Sequence, residues 1–156
     1  IRVYAARKGA RRVQPSVKEL LDSEPRGDAM RERLSRFSRD VMLSKLGLYE
    51  IIRDVKEKGG SICGISAPSR ASTLVNYVGL DSSIIDYVCE IEGSLKIGKY
   101  MPGTLIPVVH ESRLFEEQPD CAIIFSWHIA DELAPKLRAK GFKGKLVAPL
   151  PKPRIL

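Results

Sequence analysis

From residue 61 onward the chain alternates short apolar runs with amphipathic stretches, and this alternation narrows the fold before any motif is considered. Residues 61–65, 85–90, 106–109, 121–127 and 145–150 read as strands. Residues 70–78, 111–117 and 129–140 read as helices, with Gly79 and Gly141 as their stops. Strands alternating with helices build a mostly parallel sheet covered on both faces. The run 121–127 is apolar enough to be a central strand. Pro135 predicts either a kink in the last helix or a restart with the proline in its first turn.

The first third reads differently. Residues 1–5 alternate apolar and polar side chains like a strand, but no second strand follows. They are expected to belong to a sheet whose other strands lie elsewhere, and the chain reads as a piece of something longer. A basic turn, Arg7 to Arg12, comes next. Ser16, with Glu19 three residues on, predicts a capping box for a short helix that Pro25 and Gly27 end. A long helix is expected over residues 28–58, with an apolar stripe of Met30, Leu34, Phe37, Val41, Leu48, Ile52 and Val55. Lys45 interrupts that stripe, Gly47 weakens it, and Gly59-Gly60 stops the helix. At 1.5 Å per residue it runs about 45 Å, longer than a small domain, so its first half is expected to pack elsewhere. The chain divides on this reading into 1–27, 28–60 and 61–156.

Charge follows the same division. Residues 1–58 hold 15 of the 26 lysines and arginines but 9 of the 19 acids. The basic excess therefore lies outside the α/β core. Aromatic residues are few (6%) and no nucleic-acid motif is present, so a solvated face or a surface for an acidic domain is the better reading. No apolar run approaches the ~20 residues that span a bilayer. Cys63, Cys89 and Cys121 are widely spaced in apolar runs, which predicts reduced core cysteines, no metal site and a cytoplasmic setting.

The turn after the first core strand runs from Gly64 through Ser66, Ala67, Pro68, Ser69, Arg70 and Ser72 to Thr73. A dinucleotide fingerprint needs glycine where Ser66 and Ser69 stand, so NAD binding is not supported. The loop still offers backbone amides, three serines and a guanidinium, a set that suits a phosphate or pyrophosphate. A capped helix start with a solvated arginine remains equally open. Between the second and third strands lie Lys96, Gly98, Lys99, Tyr100, Met101, Pro102 and Gly103. Trp127-His128 follows the fourth strand, and His110, after the third, has no evident partner. The sequence has no HExxH, P-loop, nucleophile elbow, Cys–His pairing or glycine-rich methyl-donor loop.

These stretches together resemble the C-terminal domain of SAM-dependent sugar C-methyltransferases, which act on nucleotide-linked keto-deoxysugars. The resemblance rests on Gly64 through Tyr77, Asp86-Tyr87-Val88, Lys96 through Thr104, Ile106-Pro107-Val108, Trp127, Ala130-Asp131-Glu132 and Val147 through Pro151. It spans essentially the whole chain. It implies a Rossmann-like, three-layer α/β domain behind a long N-terminal helix. It also implies a parent with an N-terminal zinc-binding domain and a central SAM-binding domain, residues 1–9 being the last strand of the latter. The chemistry implied for the parent is removal of a proton alpha to the sugar ketone, after which the enolate carbon takes the methyl group of SAM.

Both base and methyl donor would lie in those other domains, so this chain would hold no catalytic, SAM or zinc residues and would be inactive alone. Its implied task is to hold the nucleotide-sugar, a dTDP-linked one by expectation, against the parent's other domains. Arg70 and Lys99 would neutralise phosphate, and Asn76, Tyr100 and Trp127 would shape the pocket. Ser66, Pro68, Ser69, Ser72 and His128 would complete it. The family commonly has glycine at Ser66, lysine at Arg70, glycine at Ala71, and asparagine at Ser72 and His128. Two other functions compete on the residues alone, an independent nucleotide- or CoA-type binding module and a non-catalytic scaffold.

Overall fold

The computed structural model describes residues 2–156 and joins six strands in the order β3-β2-β1-β4-β5-β6. The strands are β1 (Ile62–Ile65), β2 (Tyr87–Glu90), β3 (Val108–His110), β4 (Cys121–Ile124), β5 (Lys145–Ala148) and β6 (Arg154–Ile155). The first five pair in parallel, and β6 pairs antiparallel to β5. The central pair, β1 and β4, is buried at every position. That is what near-continuous apolar runs produce when helices cover both faces.

Residues up to Asp40 form one compact unit and Val41–Leu156 the other. The helices are α1 (Pro15–Ser23), α2 (Gly27–Lys56), α3 (Ser69–Val78), α4 (Ser112–Glu117) and α5 (Ala130–Ala139). In the larger unit, Leu48, Ile52 and Val55 of α2 and Ala71, Leu74, Val75 and Val78 of α3 pack with Ile62, Val88 and Ile123 on one face. Leu114 of α4 and Ala130, Ala134 and Leu137 of α5 pack with Cys63, Ile65, Cys89 and Ile124 on the other. In α2, α3 and α5 the buried apolar residues recur at three- and four-residue spacing, the period that presents one stripe to a sheet. The larger unit is thus a three-layer, Rossmann-like domain. The smaller unit buries no side chain among its described residues.

Residues 2–6 have no regular structure and no strand partner among the described residues, and Ile1 lies outside them. A strand takes its hydrogen bonds from a neighbour, and the sheet expected to supply one lies outside this chain. Other expectations need correction. The capping box does not form, because α1 begins at Pro15, whose fixed φ suits a first helical position, and Gln14 is its N-cap. Ser16 lies inside the helix. The stripe on α2 is half realised, since Leu34 and Phe37 are 57% and 65% exposed.

Lys45 is no interruption. Its ammonium donates to the Tyr77 carbonyl at 2.8 Å and lies 5.1 Å from the Tyr77 ring centre. Tyr49, one turn on, donates to the Val78 carbonyl. The two side chains thereby satisfy carbonyls at the end of α3 that have no helical partner. Gly79 completes that end with φ 84 and its N–H on the Val75 carbonyl. Pro135 sits inside a continuous α5 and not at a restart, because a 3-10 turn at Trp127–Ile129 has already begun the helical stretch. β6 has no counterpart in the sequence reading. The Arg154 guanidinium ties it to both carboxylate oxygens of Asp131 on α5 at 2.7 Å.

The outer edge of β3 is paired by its own preceding loop. Gly98 N–H donates to the Val108 carbonyl at 2.9 Å, and Val108 N–H donates to the Lys99 carbonyl at 2.8 Å. Tyr100 bridges antiparallel to Pro107.

The three cysteines are free and buried. The hydrogen bond with Cys89, then burial, raises the Cys63 thiol, and burial pushes Cys121 up to about 11. Both stay neutral near pH 7 and are poor nucleophiles. Tyr87 is 2% exposed, and its hydroxyl makes no well-formed hydrogen bond among the described residues, although the Glu117 carboxylate lies near enough to act on it. A buried orphan hydroxyl costs about 1–3 kcal/mol. Tyr87→Phe is therefore expected to raise the unfolding free energy by about 1 kcal/mol. Chemical denaturation measures this, and a loss of stability would mean that the hydroxyl has a partner in solution.

Candidate functional site

In a sheet of this order the chain leaves β1 toward β2 and leaves β4 toward β5, in opposite directions. Ligands bind in the crevice that such a reversal opens at the carboxyl ends of the strands. The loop after β1 runs Ser66-Ala67-Pro68 into α3. The residues after β4 are Phe125, Ser126, Trp127 and His128. The Arg70 guanidinium carbon lies 5.8 Å from the centre of the Trp127 ring, within the range of a cation–π contact. One side chain from each central loop thus meets at the switch point.

A cavity of about 210 Å³ lies beside it, on the β2–β3 side. One wall is Ala67, Pro68, Ser69 and Ser72 of the first loop and α3; the other is Lys96, Lys99, Tyr100, Met101 and Pro102. Val108 completes the lining. Of the residues expected at the site, Pro68, Ser69, Ser72, Lys99 and Tyr100 gather here. Arg70 and Trp127 pair with each other instead, and His128 is exposed beside Trp127.

Lys99 forms no ion pair with any described carboxylate, whereas Lys96 pairs with Glu90 at 3.4 Å. Lys99 is therefore the cavity's uncompensated charge. The Ser72 hydroxyl donates to the Ser69 carbonyl at 2.7 Å, so only its lone pairs face outward. Asn76 holds a wall: its amide nitrogen donates to the Ser72 carbonyl at 2.7 Å and the Pro102 carbonyl at 2.9 Å.

Ser66 has φ 68, a left-handed conformation, and its N–H donates to the Cys89 carbonyl at 2.8 Å. A non-glycine residue adopts this backbone at a cost of about 1–2 kcal/mol. His110, which shows no partner in sequence, accepts the Ser112 N–H at Nδ1, 3.1 Å away, and so caps the start of α4. Glu90, absent from the sequence expectations, accepts the Ala67 N–H at 2.6 Å. No local pattern marks Glu90, because only the pairing of β1 with β2 brings it to the loop.

The order of the strands, the long preceding helix and the loops gathered at the carboxyl edge define an α/β domain of the doubly wound class. A family model for the C-methyltransferase C-terminal domain matches residues 1–151, and the chain belongs to that family. It is 30% identical over 159 residues to the C-methyltransferase NovU of Streptomyces niveus. The match covers 99% of this chain and 37% of that protein, so the chain spans little more than a third of its relative's length.

The family implies S-adenosylmethionine, and the edge of this sheet tests the fit. In sheets of this order, glycines let the first loop approach a nucleoside and an acid ending the second strand holds ribose hydroxyls. Here the loop carries Ser66, Pro68 and Ser69. Glu90 stands at the acid's place, but its Oε1 is taken by Ala67 N–H and Lys96. These residues do not fit the methyl donor. Among the described residues, no three His, Cys, Asp or Glu side chains gather as a metal site. No helix among them is long and apolar enough to cross a membrane.

Proposed function

We propose that this chain is the substrate-holding part of a SAM-dependent C-methyltransferase, and that its substrate is a nucleotide-linked keto-deoxysugar, dTDP-linked by preference. The observation that carries this reading is the cavity in which uncompensated Lys99 and Tyr100 face Ser69 and Ser72. Such a set offers the Lys99 cation, the Ser69 and Tyr100 hydroxyls and an aromatic face to a phosphate-bearing ligand, with the Ser72 hydroxyl spent on the Ser69 carbonyl. Its volume is below the ~300–1,000 Å³ of pockets that enclose a whole small molecule. It would therefore take one end of the nucleotide-sugar. Arg70 and Trp127 would meet a further part at the switch point, with His128 beside them. Ser66, Pro68 and Asn76 would set the walls.

In this reading the methyl donor and the catalytic base belong to portions of the enzyme outside this chain, as does a zinc site in its N-terminal domain. Residues 1–27 end the preceding methyltransferase domain, 28–60 connect, and 61–156 hold substrate. The partners are the enzyme's own other domains, not nucleic acid or membrane, and the setting is cytoplasmic. The chain by itself transfers no methyl group.

Calorimetric titration of the 156-residue chain with dTDP, and with a dTDP-sugar, tests the reading. Binding is expected, and Lys99→Met and Arg70→Ala should each weaken it about tenfold, the loss of one charge-assisted contact of roughly 1.5 kcal/mol. Absent binding, or binding that neither substitution moves, would overturn the assignment. Methyl transfer from SAM to a dTDP-keto-deoxysugar by this chain alone would overturn the division of labour.

A further inference from the structure

We infer that Glu90 and Lys96 form an internal strut that positions the loop after β1 against the loop before β3, and so sets the shape of the cavity; this rests on reading that cavity as the substrate site. The Glu90 carboxylate, 12% exposed, is anchored at the end of β2. Its Oε1 accepts the Ala67 N–H at 2.6 Å and lies 3.4 Å from the Lys96 ammonium. That ammonium in turn donates to the Ala67 carbonyl at 2.7 Å. Both backbone polar groups of one buried residue are thus held by the two halves of a single ion pair.

The geometry at Ser66 gives the strut its purpose. A left-handed non-glycine residue persists only where its surroundings over-determine it. Here the Ser66 N–H is fixed on Cys89 and the next residue is clamped on both sides. Without the clamp, rotation at Ser66 would let Ala67 and Pro68 swing, and the start of α3 with them. Ala67 and Lys96 both line the cavity, so the strut ties the loop after β1 directly to the segment before β3.

The strut also divides the work of two lysines three residues apart. Lys96 is compensated by Glu90 and acts on the protein, while Lys99 is left for the ligand. Glu90 and Lys96 are therefore positioning residues, not ligand contacts.

Substitutions at Glu90 in the 156-residue chain separate positioning from general stability. Glu90→Leu removes the acceptor and the charge, whereas Glu90→Gln keeps an acceptor for Ala67. Amide exchange followed by NMR should show the Ala67 amide at least about tenfold faster in Glu90→Leu, with Ile123 and Ile124 of β4 unchanged. The same variant should bind dTDP about tenfold more weakly, and Glu90→Gln should stay within about threefold of the parent chain in both readouts. The inference is overturned if Ala67 exchange does not change, if the β4 amides accelerate equally, or if exchange rises while dTDP affinity does not move. Should the parent chain bind no dTDP, the substrate reading fails, and the exchange data still decide whether the strut holds the loop.

Discussion

Gly64→Ala should lower the unfolding free energy by about 3 kcal/mol, because the new methyl group meets side chains that cannot retreat. A Cβ built at Gly64 lies 2.4 Å from Phe125 Cε2 and 2.9 Å from both Phe125 Cδ2 and Val88 Cγ2. Phe125 and Val88 are both fully buried. Replacing glycine by alanine also restricts the unfolded chain, which stabilises by roughly 0.4–1 kcal/mol, but the steric term is larger. The effect reaches the site as well. Phe125 is held by its N–H on the Ile65 carbonyl at 2.9 Å, and Trp127 lies two residues beyond it. A displaced ring would move Trp127 from Arg70. Urea unfolding followed by circular dichroism gives the first quantity, and Trp127 fluorescence in the folded variant gives the second. A loss below about 1 kcal/mol would show that the ring has room to move.

Gly103→Ala should cost about 3 kcal/mol and open the cavity wall at the same time. Gly103 has φ 80, and a Cβ there would lie 2.3 Å from Asn76 Oδ1. The asparagine can swing aside only by giving up its bonds to Ser72 and Pro102, each worth about 1 kcal/mol. The remaining cost is the left-handed backbone that alanine resists. Because the two residues share one contact, Asn76→Ala and the Gly103 substitution should combine for less than their sum. A double-mutant cycle on stability and on dTDP affinity reads this, and strict additivity would mean that Asn76 does not hold the turn.

Much of the architecture could be read from single segments. The apolar runs at 61–65 and 121–127 are the two central strands, shortened to Ile62–Ile65 and Cys121–Ile124 where pairing stops. Gly79 marks the end of α3 because a left-handed residue is needed there. Features that depend on distant pairing were not legible. Two residues at Arg154–Ile155 are too few to show a period, so β6 had no signal. Lys45 looked like a break in a stripe because the partners of its ammonium, the Tyr77 carbonyl and the Tyr77 ring, come from a helix distant in sequence. At the site, the serines, Lys99 and Tyr100 stood out by type, since hydroxyl and charged groups beside strand ends are visible in any sequence. Glu90 did not, because a lone acid on a strand gains meaning only when the neighbouring strand brings Ala67 to it.

The two margins of the sheet bear on how this domain lives among other chains. One is occupied by the Gly98–Tyr100 loop folded onto β3, and the other ends in the two-residue β6, anchored by Arg154. An open ladder invites foreign strands, and neither margin presents a long one. The protein should therefore resist fibril growth and strand exchange even when concentrated. The loop that seals one margin also carries Lys99 and Tyr100. Protection against self-association and recognition of a ligand are thus vested in the same few residues, and neither can drift without the other.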